Sequence, residues 1–295
     1  GFRTDIPTTL PFSLDAQFDP STSRESIIEN GWNRWLIERT AEVAGNIAAG
    51  IFTTRPKAAW GLVPLPTEHV DPDRNSVLNR CFSTAFNTAR IWLSQHALVR
   101  LPSGHSPFSA LSYEAQTLDG FLSEEDIERI QHKQHALHRS TRDVQGRWRK
   151  VISELGVSSL VGTNELLDAM ENQLFQFKPA TWWVHAGALL VEHHKDSELF
   201  GRSFLLSHLG ESISCASNGE TDIPLVLSPP SEFAQRWQLL QRLHTAYTGS
   251  NAGEQIIAWL DANAAFVSKA NTVIELKAFA DKFEQDSIEF SEDDL

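Results

Sequence analysis

Arg24 is the residue whose type and position point most directly to chemistry. It lies in the stretch DPSTSRESIIEN, between small hydroxyl residues and a long segment with helical apolar periodicity. Its guanidinium is a planar fork of donors that suits phosphate oxygens, and the first turn of a helix adds unpaired N–H groups and a positive dipole end. Together these would form a phosphate-sensing corner without a glycine loop. The alternative is an ordinary solvated arginine, which is common on protein surfaces.

Self-contained nucleotide enzymes and serine hydrolases are disfavoured, because their loop motifs are missing from the sequence. No G-x-x-x-x-G-K-[ST], G-x-G-x-x-G or G-x-S-x-G occurs. Gly45 and Gly50 have the spacing of a phosphate loop, but Ile51 stands where the lysine is needed. Because no set of acid, base and nucleophile stands out elsewhere, an independent enzyme ranks third among the functions considered.

Three histidines, His132, His135 and His138, are spaced three apart in the stretch QHKQHALH. On one helix they would lie close enough to share a cation. No cysteine or carboxylate pair stands nearby at metal-ligand spacing, and such patterns are permissive. We therefore predict a polar helix face here and no metal site, with a metal site as the alternative.

Basic residues form a second cluster at Arg139, Arg142, Arg147, Arg149 and Lys150. An inward-facing Trp148 would place Arg147 and Arg149 on its flanks. With Asp143 and Glu154 nearby, this predicts a solvated face with i,i+3 and i,i+4 ion pairs rather than an anion patch. Most tryptophans have helical core spacing, so we predict that they are buried; these are Trp32, Trp35, Trp92, Trp148 and Trp259.

The elements that would position Arg24 alternate between strand and helix patterns. Residues 12–18 have period two, which predicts a half-buried strand. A helix of about six turns follows, with Thr22 and Glu25 as a capping box and Pro56 at its end. Its predicted buried face is Ile28, Trp32, Trp35/Leu36, Val43, Ile47 and Ile51. A second helix over about 75–96 and a strand over 97–102 complete an α/β layer.

The remainder of the chain is predicted to be mainly helical. Helix caps are expected at Ser123 with Asp126, at Thr163, and at Asn251 with Glu254. Ser123 would start a helix that continues to about residue 137, and residues 181–194 are apolar enough for a buried helix. The turn at residues 218–219 predicts a small hairpin. The last twelve residues hold six carboxylates and are expected to fray.

Length and composition limit the classes of function. At 295 residues, one core tends to divide into two subdomains. The net charge of −13 disfavours nucleic acid and anionic membranes as partners. Cys81 and Cys215, both in apolar surroundings, predict free thiols in a reducing, cytoplasmic compartment. The sequence has neither a membrane-length apolar run nor a signal-peptide pattern, and its start at Gly1 predicts a processed or excised chain.

The pattern LP-x-S … SRES before a long helix resembles the opening of the middle segment of GHKL-type ATPases of the ninety-kilodalton heat-shock chaperone class. The whole chain is more similar to sacsin-like proteins, on the stretches LPFSLDAQFDPSTSRESI, NGWN, PKAAWGLVPLP and RDVQGRWRKVISELG. Ile28 stands where the chaperones carry a glutamine, and the loop before the Ser-Arg-Glu triplet is longer. The head signature Asp-x-Gly-x-Gly does not occur in these 295 residues.

The resemblance implies a transducer segment that lies C-terminal to an ATPase head. Arg24 would then be the catalytic residue that reaches the γ-phosphate, with Ser23 and Arg24 as the nucleotide-binding residues. ATP and Mg would bind only through the separate head, and none to this chain alone. The expected partners are that adjacent ATPase head domain and a protein client or partner subunit.

We therefore predict an α+β protein of two parts. Residues 1–108 form an α/β transducer-like subdomain, and residues 109–295 form a mainly helical subdomain with a small hairpin and an acidic tail. The predicted function is the middle segment of an ATP-dependent, chaperone-like machine. The alternative is a helical protein–protein interaction scaffold without catalytic role, with its binding surface in the second subdomain.

Overall fold

The computed structural model describes residues 15–22, 27–63, 77–118, 120–132, 134–155, 159–216, 225–227, 229, 231–232, 235, 240–264, 266–267 and 272–284. The fold is α+β, as predicted. The chain divides into two compact units: unit 1 is Gly1–Tyr113 with Leu122–Leu160, and unit 2 is Glu114–Phe121 with Val161–Leu295. The domain division into 1–108 and 109–295 stays a prediction.

Unit 1 is built on two long helices that pack against each other. Its helices are α1 (Gly31–Thr54), α2 (Pro56–Ala59), α3 (Val77–His96), α4 (Glu124–Gln131) and α5 (Arg147–Leu155). Its strands are β1 (Leu98–Leu101), β2 (Gly104–Pro107), β3 (Leu111–Glu114), β4 (His135–Ala136) and β5 (Ser159–Val161), the ends of β3 and β5 falling at the unit boundary. Helix α3 and strand β1 confirm the second helix and the strand predicted after it.

Helix α1 begins at Gly31, and Asn30 is its N-cap: the Asn33 N–H donates to the Asn30 side-chain oxygen at 2.7 Å. The predicted capping box of Thr22 and Glu25 is therefore wrong, and Arg24 is not in the first turn of this helix. The helix ends at Thr54, because Pro56 restricts the preceding residue and starts α2. Within the predicted strand 12–18, residues 15–18 are not in a strand, and residues 12–14 lie outside the described residues.

The face that α1 buries is not the predicted one. The buried residues are Asn33, Ile37, Ala41, Gly45, Ala48 and Phe52, which recur every three or four positions. Three of the six, Ala41, Gly45 and Ala48, are small, which lets α3 approach closely: a Cβ built on Gly45 would lie 3.6 Å from the Ala89 Cβ. The predicted face, with Trp32, Trp35, Val43 and Ile47, is exposed instead. A helix with two apolar stripes buries the one that packs closer.

A larger core lies where the end of α1 meets the β1–β2 hairpin and α5. Phe52, Trp60 and Phe108 are fully buried and meet edge to face, with ring centroids 4.7–5.9 Å apart. Strands β1 and β2 pair antiparallel, with Val99 opposite Ser106. Strand β3 pairs in parallel with β4, with Leu111 opposite His135.

Two predicted helices of unit 1 are shorter than expected. Ser123 and Asp126 form the predicted capping box of α4, but α4 ends at Gln131 rather than near residue 137. Helix α5 begins at Arg147 and buries Trp148 with the rest of its predicted face, whereas Val144 lies outside the helix and is 99% exposed.

Unit 2 surrounds a helix that is apolar on most sides. Its helices are α6 (Thr163–Glu171), α7 (Ala180–His193), α8 (Asp196–Leu199), α9 (Asn251–Asn263) and α10 (Thr272–Glu284). Its strands are β6 (Leu205–Leu206), β7 (Ser212–Ile213), β8 (Leu225–Val226), β9 (Gln241–Arg242) and β10 (Phe266–Val267). Helix α7 confirms the predicted buried helix over 181–194 and packs on α9, where a Cβ on Gly187 would lie 3.0 Å from Ile256 Cδ1.

Two further predictions for unit 2 need correction. The caps lie one residue earlier than predicted, at Gly162 for α6 and at Ser250 for α9. The strands on either side of the predicted hairpin turn are not partners: β7 pairs antiparallel with β6, whereas β8 lies between β9 and β10 in a parallel sheet. The turn at 218–219 and the acidic residues 285–295 lie outside the described residues.

Candidate functional site

The predicted site residues Ser23 and Arg24 lie outside the described residues, but the chain before and after them contains specific contacts. Pro20 and Ile27 form an antiparallel bridge, and the Ile28 N–H donates to the Asp19 carbonyl at 3.0 Å. The two ends of the segment that contains Arg24 are therefore held side by side.

Asn33 fixes this pair of chain ends to helix α1. Its side chain is completely buried, accepts the Asp19 N–H at 2.8 Å, and donates to the carbonyls of Asp19 and Ile28 at 2.9 and 2.7 Å. Asn30 adds a bond from its amide nitrogen to the Asp19 carboxylate at 2.8 Å. The NGWN stretch (Asn30–Asn33) thus caps α1 and clamps the base of the segment, a role that no residue pattern signals without the fold.

The clearest surface feature of unit 1 is the outer face of α1, defined here as Trp32, Trp35, Val43 and Ile47. Their side chains are 46%, 46%, 54% and 54% exposed, on the side of the helix opposite to the packed stripe. The predictions that Trp32, Trp35 and Trp92 are core residues are therefore wrong, whereas Trp148 and Trp259 are buried as predicted. The sequence shows both stripes, and only the small residues Ala41 and Gly45 in the other stripe signal which one packs.

The two tryptophans of the outer face contact each other, and one of them is hydrogen-bonded to the chain before α1. Their rings stack with centroids 5.2 Å apart and planes inclined by 19°. The Trp32 Nε1–H donates to the Gln17 carbonyl at 2.9 Å, so the segment before the clamp supports the ring. Arg39 and Glu42 form an ion pair in the middle of the face.

A groove of about 700 Å³ runs along the seam between α1 and α3, beside the outer face. Gly45, Ala85 and Ala89 are among the small residues of its floor, and Trp92 lies at one end. Arg34 at its rim is paired with Glu29.

The histidine cluster does not form. Because α4 ends at Gln131, the three histidines do not share a helix: His132 has a φ of +46°, His135 lies in β4, and His138 precedes the 3₁₀ turn Arg139–Thr141. The predicted polar helix face is therefore wrong. Among the residues that the structure describes, no group of three potential metal ligands comes together.

The predicted solvated face with ion pairs is wrong for Arg139, Arg142 and Arg147, whose guanidinium groups bind backbone carbonyls, whereas Lys150 is exposed. Arg139 donates to the Leu122 carbonyl at 2.6 Å, and Arg142 donates twice to the Leu137 carbonyl, at 3.0 and 2.7 Å. Arg147 donates to the carbonyls of Trp60 and Val63 at 3.0 and 2.7 Å. Guanidinium groups satisfy carbonyls that would otherwise lack partners.

The acids of this region also serve backbone groups. Asp143 accepts the N–H groups of Arg147 and Trp148 at 3.0 and 2.7 Å and so begins α5, while Glu154 pairs with Arg90 at 3.2 Å. Burial acts to raise the pKa of Glu124, but the Arg139 N–H, which donates to its carboxylate, helps to bring that pKa below its ordinary value. These groups explain the local fold and leave no acid–base pair for catalysis among them.

The two thiols differ in their surroundings. Cys81 and Cys215 are both free, as predicted. Cys81 lines the α1–α3 groove and is half-buried, whereas Cys215 is 3% exposed. Burial raises the pKa of Cys215 to about 12, so its thiol stays protonated and unreactive at neutral pH.

Comparison with family models, curated proteins and solved structures finds no match. Within the described part of the chain, no helix combines the length and the apolar character needed to cross a bilayer. The function therefore has to be argued from the surface of the molecule itself.

Proposed function

We propose that this chain is a protein-interaction module, and that the outer face of α1 receives an amphipathic helix of a partner subunit. The observation that supports this most is the apolar stripe of Trp32, Trp35, Val43 and Ile47, each about half exposed, with the Arg39–Glu42 ion pair at its middle. Isolated exposed apolar residues are normal, but an apolar stripe along one helix is a typical docking surface for another helix.

The residue types and rigidity of the face suit binding. Tryptophan dominates interface hot spots, and each indole here still exposes roughly 100 Å², given its 46% exposure. The Trp32–Trp35 stack and the bond from Trp32 to Gln17 fix both rings in advance, so binding does not have to order them. Glu38 and Arg80 along the neighbouring groove supply a polar rim.

The outer face of α1 lies in a different part of the chain from the binding surface of the interaction scaffold predicted from the sequence. That prediction placed the binding surface after residue 108, whereas α1 lies before it, in unit 1. We also propose that the chain works in the cytoplasm, because its two cysteines are free and a compartment with reducing conditions keeps them so.

The test compares two Val→Glu variants of the full chain. Val43→Glu places a charge on the outer face, and Val144→Glu places the same charge at a site that is 99% exposed and outside α1. A partner of this face should be captured from cell extract by the wild type and by Val144→Glu, and lost with Val43→Glu. Equal capture by all three proteins would overturn the proposal, provided that circular dichroism shows all three folded.

The second candidate function, a transducer of a GHKL-type, sacsin-like ATPase, is favoured by a separate observation. The ends of the segment around Arg24 are clamped by the buried Asn33 and by the Pro20–Ile27 bridge. A clamped base limits where a residue between those ends can reach, which is useful for an arginine that must meet a γ-phosphate in a neighbouring head. ATP and Mg²⁺ would bind to that head.

An arginine substitution tests this second candidate in the intact ATPase to which the chain would belong. Arg24→Ala should leave ATP affinity near that of the wild type and slow hydrolysis about 100-fold, the usual effect of losing one transition-state donor. Arg100→Ala, which removes an exposed arginine of β1, is the matched control. Unchanged turnover in Arg24→Ala would exclude the role of Arg24 in hydrolysis.

A further inference from the structure

We infer that the partner helix on the outer face of α1 is α1 of a second copy of this chain, packed antiparallel about a two-fold axis near Arg39 and Thr40. This inference rests on the proposed function and names its partner. Three properties of the face support it: the spacing of its residues, the sizes of its side chains and the arrangement of its charges.

Trp32, Val43 and Ile47 of the outer face form a helix–helix seam with Leu36 and Arg39, which lie between them, and Trp35 flanks this seam. Trp32, Leu36, Arg39, Val43 and Ile47 follow one another at intervals of four, three, four and four residues. Two long helices pack along such a seam at a shallow crossing angle. The stripe covers roughly 22 Å of α1, long enough for a multi-layer contact.

The side chains of the face complement one another only when the second helix runs in the opposite direction. A two-fold axis midway along the stripe places Trp32 opposite the partner's Ile47, and Leu36 opposite the partner's Val43. Each layer then combines one larger and one smaller side chain, so the two helices stay evenly separated. A parallel pair would collect the tryptophans of both copies at one end and leave the other end open.

The charges at the centre of the face also support pairing with a second copy of the chain. Arg39 is the charged residue of the seam and is paired with Glu42 of its own helix. In the antiparallel pair, the two Arg39–Glu42 pairs meet at the axis, and each guanidinium also comes within reach of the partner's Glu42. The centre of the face is therefore complementary in charge to a second copy of itself.

Site-specific cross-linking tests the orientation in the full chain. The background is Cys81→Ser, since Cys215 is buried and its thiol is unreactive. A short bismaleimide should join Thr40→Cys to its own copy, because residue 40 lies near the axis. It should not join Gly50→Cys to its own copy, because the two residues would lie roughly 30 Å apart along the seam. Gly50 is exposed, and a Cβ there meets no atom within 4 Å, so the substitution leaves the fold intact.

Sedimentation equilibrium gives the second measurement. The wild type and Val144→Glu should associate to twice the monomer mass, and Val43→Glu should raise the dimer Kd at least about 100-fold, because it buries an unpaired charge. Cross-linking of both Thr40→Cys and Gly50→Cys would show a parallel pair and overturn the inference. A wild type that stays monomeric would also overturn it, whereas capture of a different protein that depends on Val43 would still support the proposed function.

Discussion

Helices α1 and α5 lie in the same unit, and they place their tryptophans in opposite environments. On α5, Trp148 is 4% exposed, and the guanidinium groups of Arg142 and Arg149 lie over its ring, 4.7 and 4.6 Å from the centroid. On α1, Trp32 and Trp35 stack against each other at the surface.

The difference follows from the number of apolar stripes on each helix. Helix α5 has one, so burying that stripe buries its tryptophan. Helix α1 has two, and the stripe with Ala41, Gly45 and Ala48 allows the tighter contact with α3. Close packing of small residues thus outweighs the larger apolar area of the indoles, which become available for a partner.

The largest expected effect is a truncation on the packed side of α1. Phe52→Ala should lower the free energy of unfolding by about 3–5 kcal/mol, because the ring is fully buried against Trp60 and Phe108. Val43→Ala on the outer face should change it by less than about 0.5 kcal/mol. Urea denaturation measures both, in dilute solution so that association does not contribute. Equal losses would mean that both stripes of α1 are packed.

The clamp at the start of α1 should give the next largest effect. Asn33→Ala removes one acceptor and two donor bonds from a fully buried side chain, and should cost about 2 kcal/mol. It should also speed hydrogen exchange at the Asp19 amide. Asn46→Ala, on an exposed position of the same helix, is the control and should be nearly neutral. A neutral Asn33→Ala would show that the clamp does not hold the segment.

A glycine substitution tests how closely α1 and α3 approach. Gly45→Ala should stabilise the protein by about 0.5–1 kcal/mol, because the new methyl makes an ordinary contact with Ala89 and removes glycine's freedom in the unfolded chain. Gly253→Ala should instead destabilise it, because the methyl would overlap the Tyr247 carbonyl. Thermal unfolding shows both signs. Destabilisation by Gly45→Ala would mean that Ala89 lies closer to α1 than the 3.6 Å that separates it from a Cβ on Gly45.

The smallest expected effect is a pH dependence of the free energy of unfolding that comes from the buried Cys215 thiol. The pKa of Cys215 is raised to about 12, so the native state favours the neutral thiol. Its contribution to stability is complete below the ordinary thiol pKa and is lost as the pH rises towards 12. Cys215→Ala should therefore flatten the fall in unfolding free energy between about pH 8 and pH 10. An unchanged slope would show that the thiol ionises as easily in the folded protein as in the unfolded chain.

Periodicity predicted where many helices lie but not which side of α1 faces inward. Helices α3 and α7 and the cap of α4 follow from local patterns of apolar residues and capping side chains. The inward side of α1 depends on α3, which is distant in sequence and supplies Ala85 and Ala89 to the contact.

The candidate site was less predictable than the helices. The carbonyls that bind Arg147 belong to Trp60 and Val63, 87 and 84 residues earlier in the chain, so nothing in the sequence alone indicates that this arginine is used inside the fold. The clamp by Asn33 likewise depends on Asp19, which lies fourteen positions earlier. The proposed docking role of the outer face depends on its exposure, which follows from the packing of the other side of α1. Interactions between distant parts of the chain decide all three.

Hydroxyl-radical footprinting of the tryptophans tests the central claim most directly. In dilute wild-type protein, Trp32 and Trp35 should be oxidised rapidly, whereas Trp60 and Trp183, which are almost fully buried, should react slowly. At high protein concentration, Trp32 and Trp35 should become protected while the two buried residues stay unchanged. Oxidation of Trp35 as slow as that of Trp60 in the dilute protein would contradict an outward-facing aromatic stripe and the docking surface proposed from it.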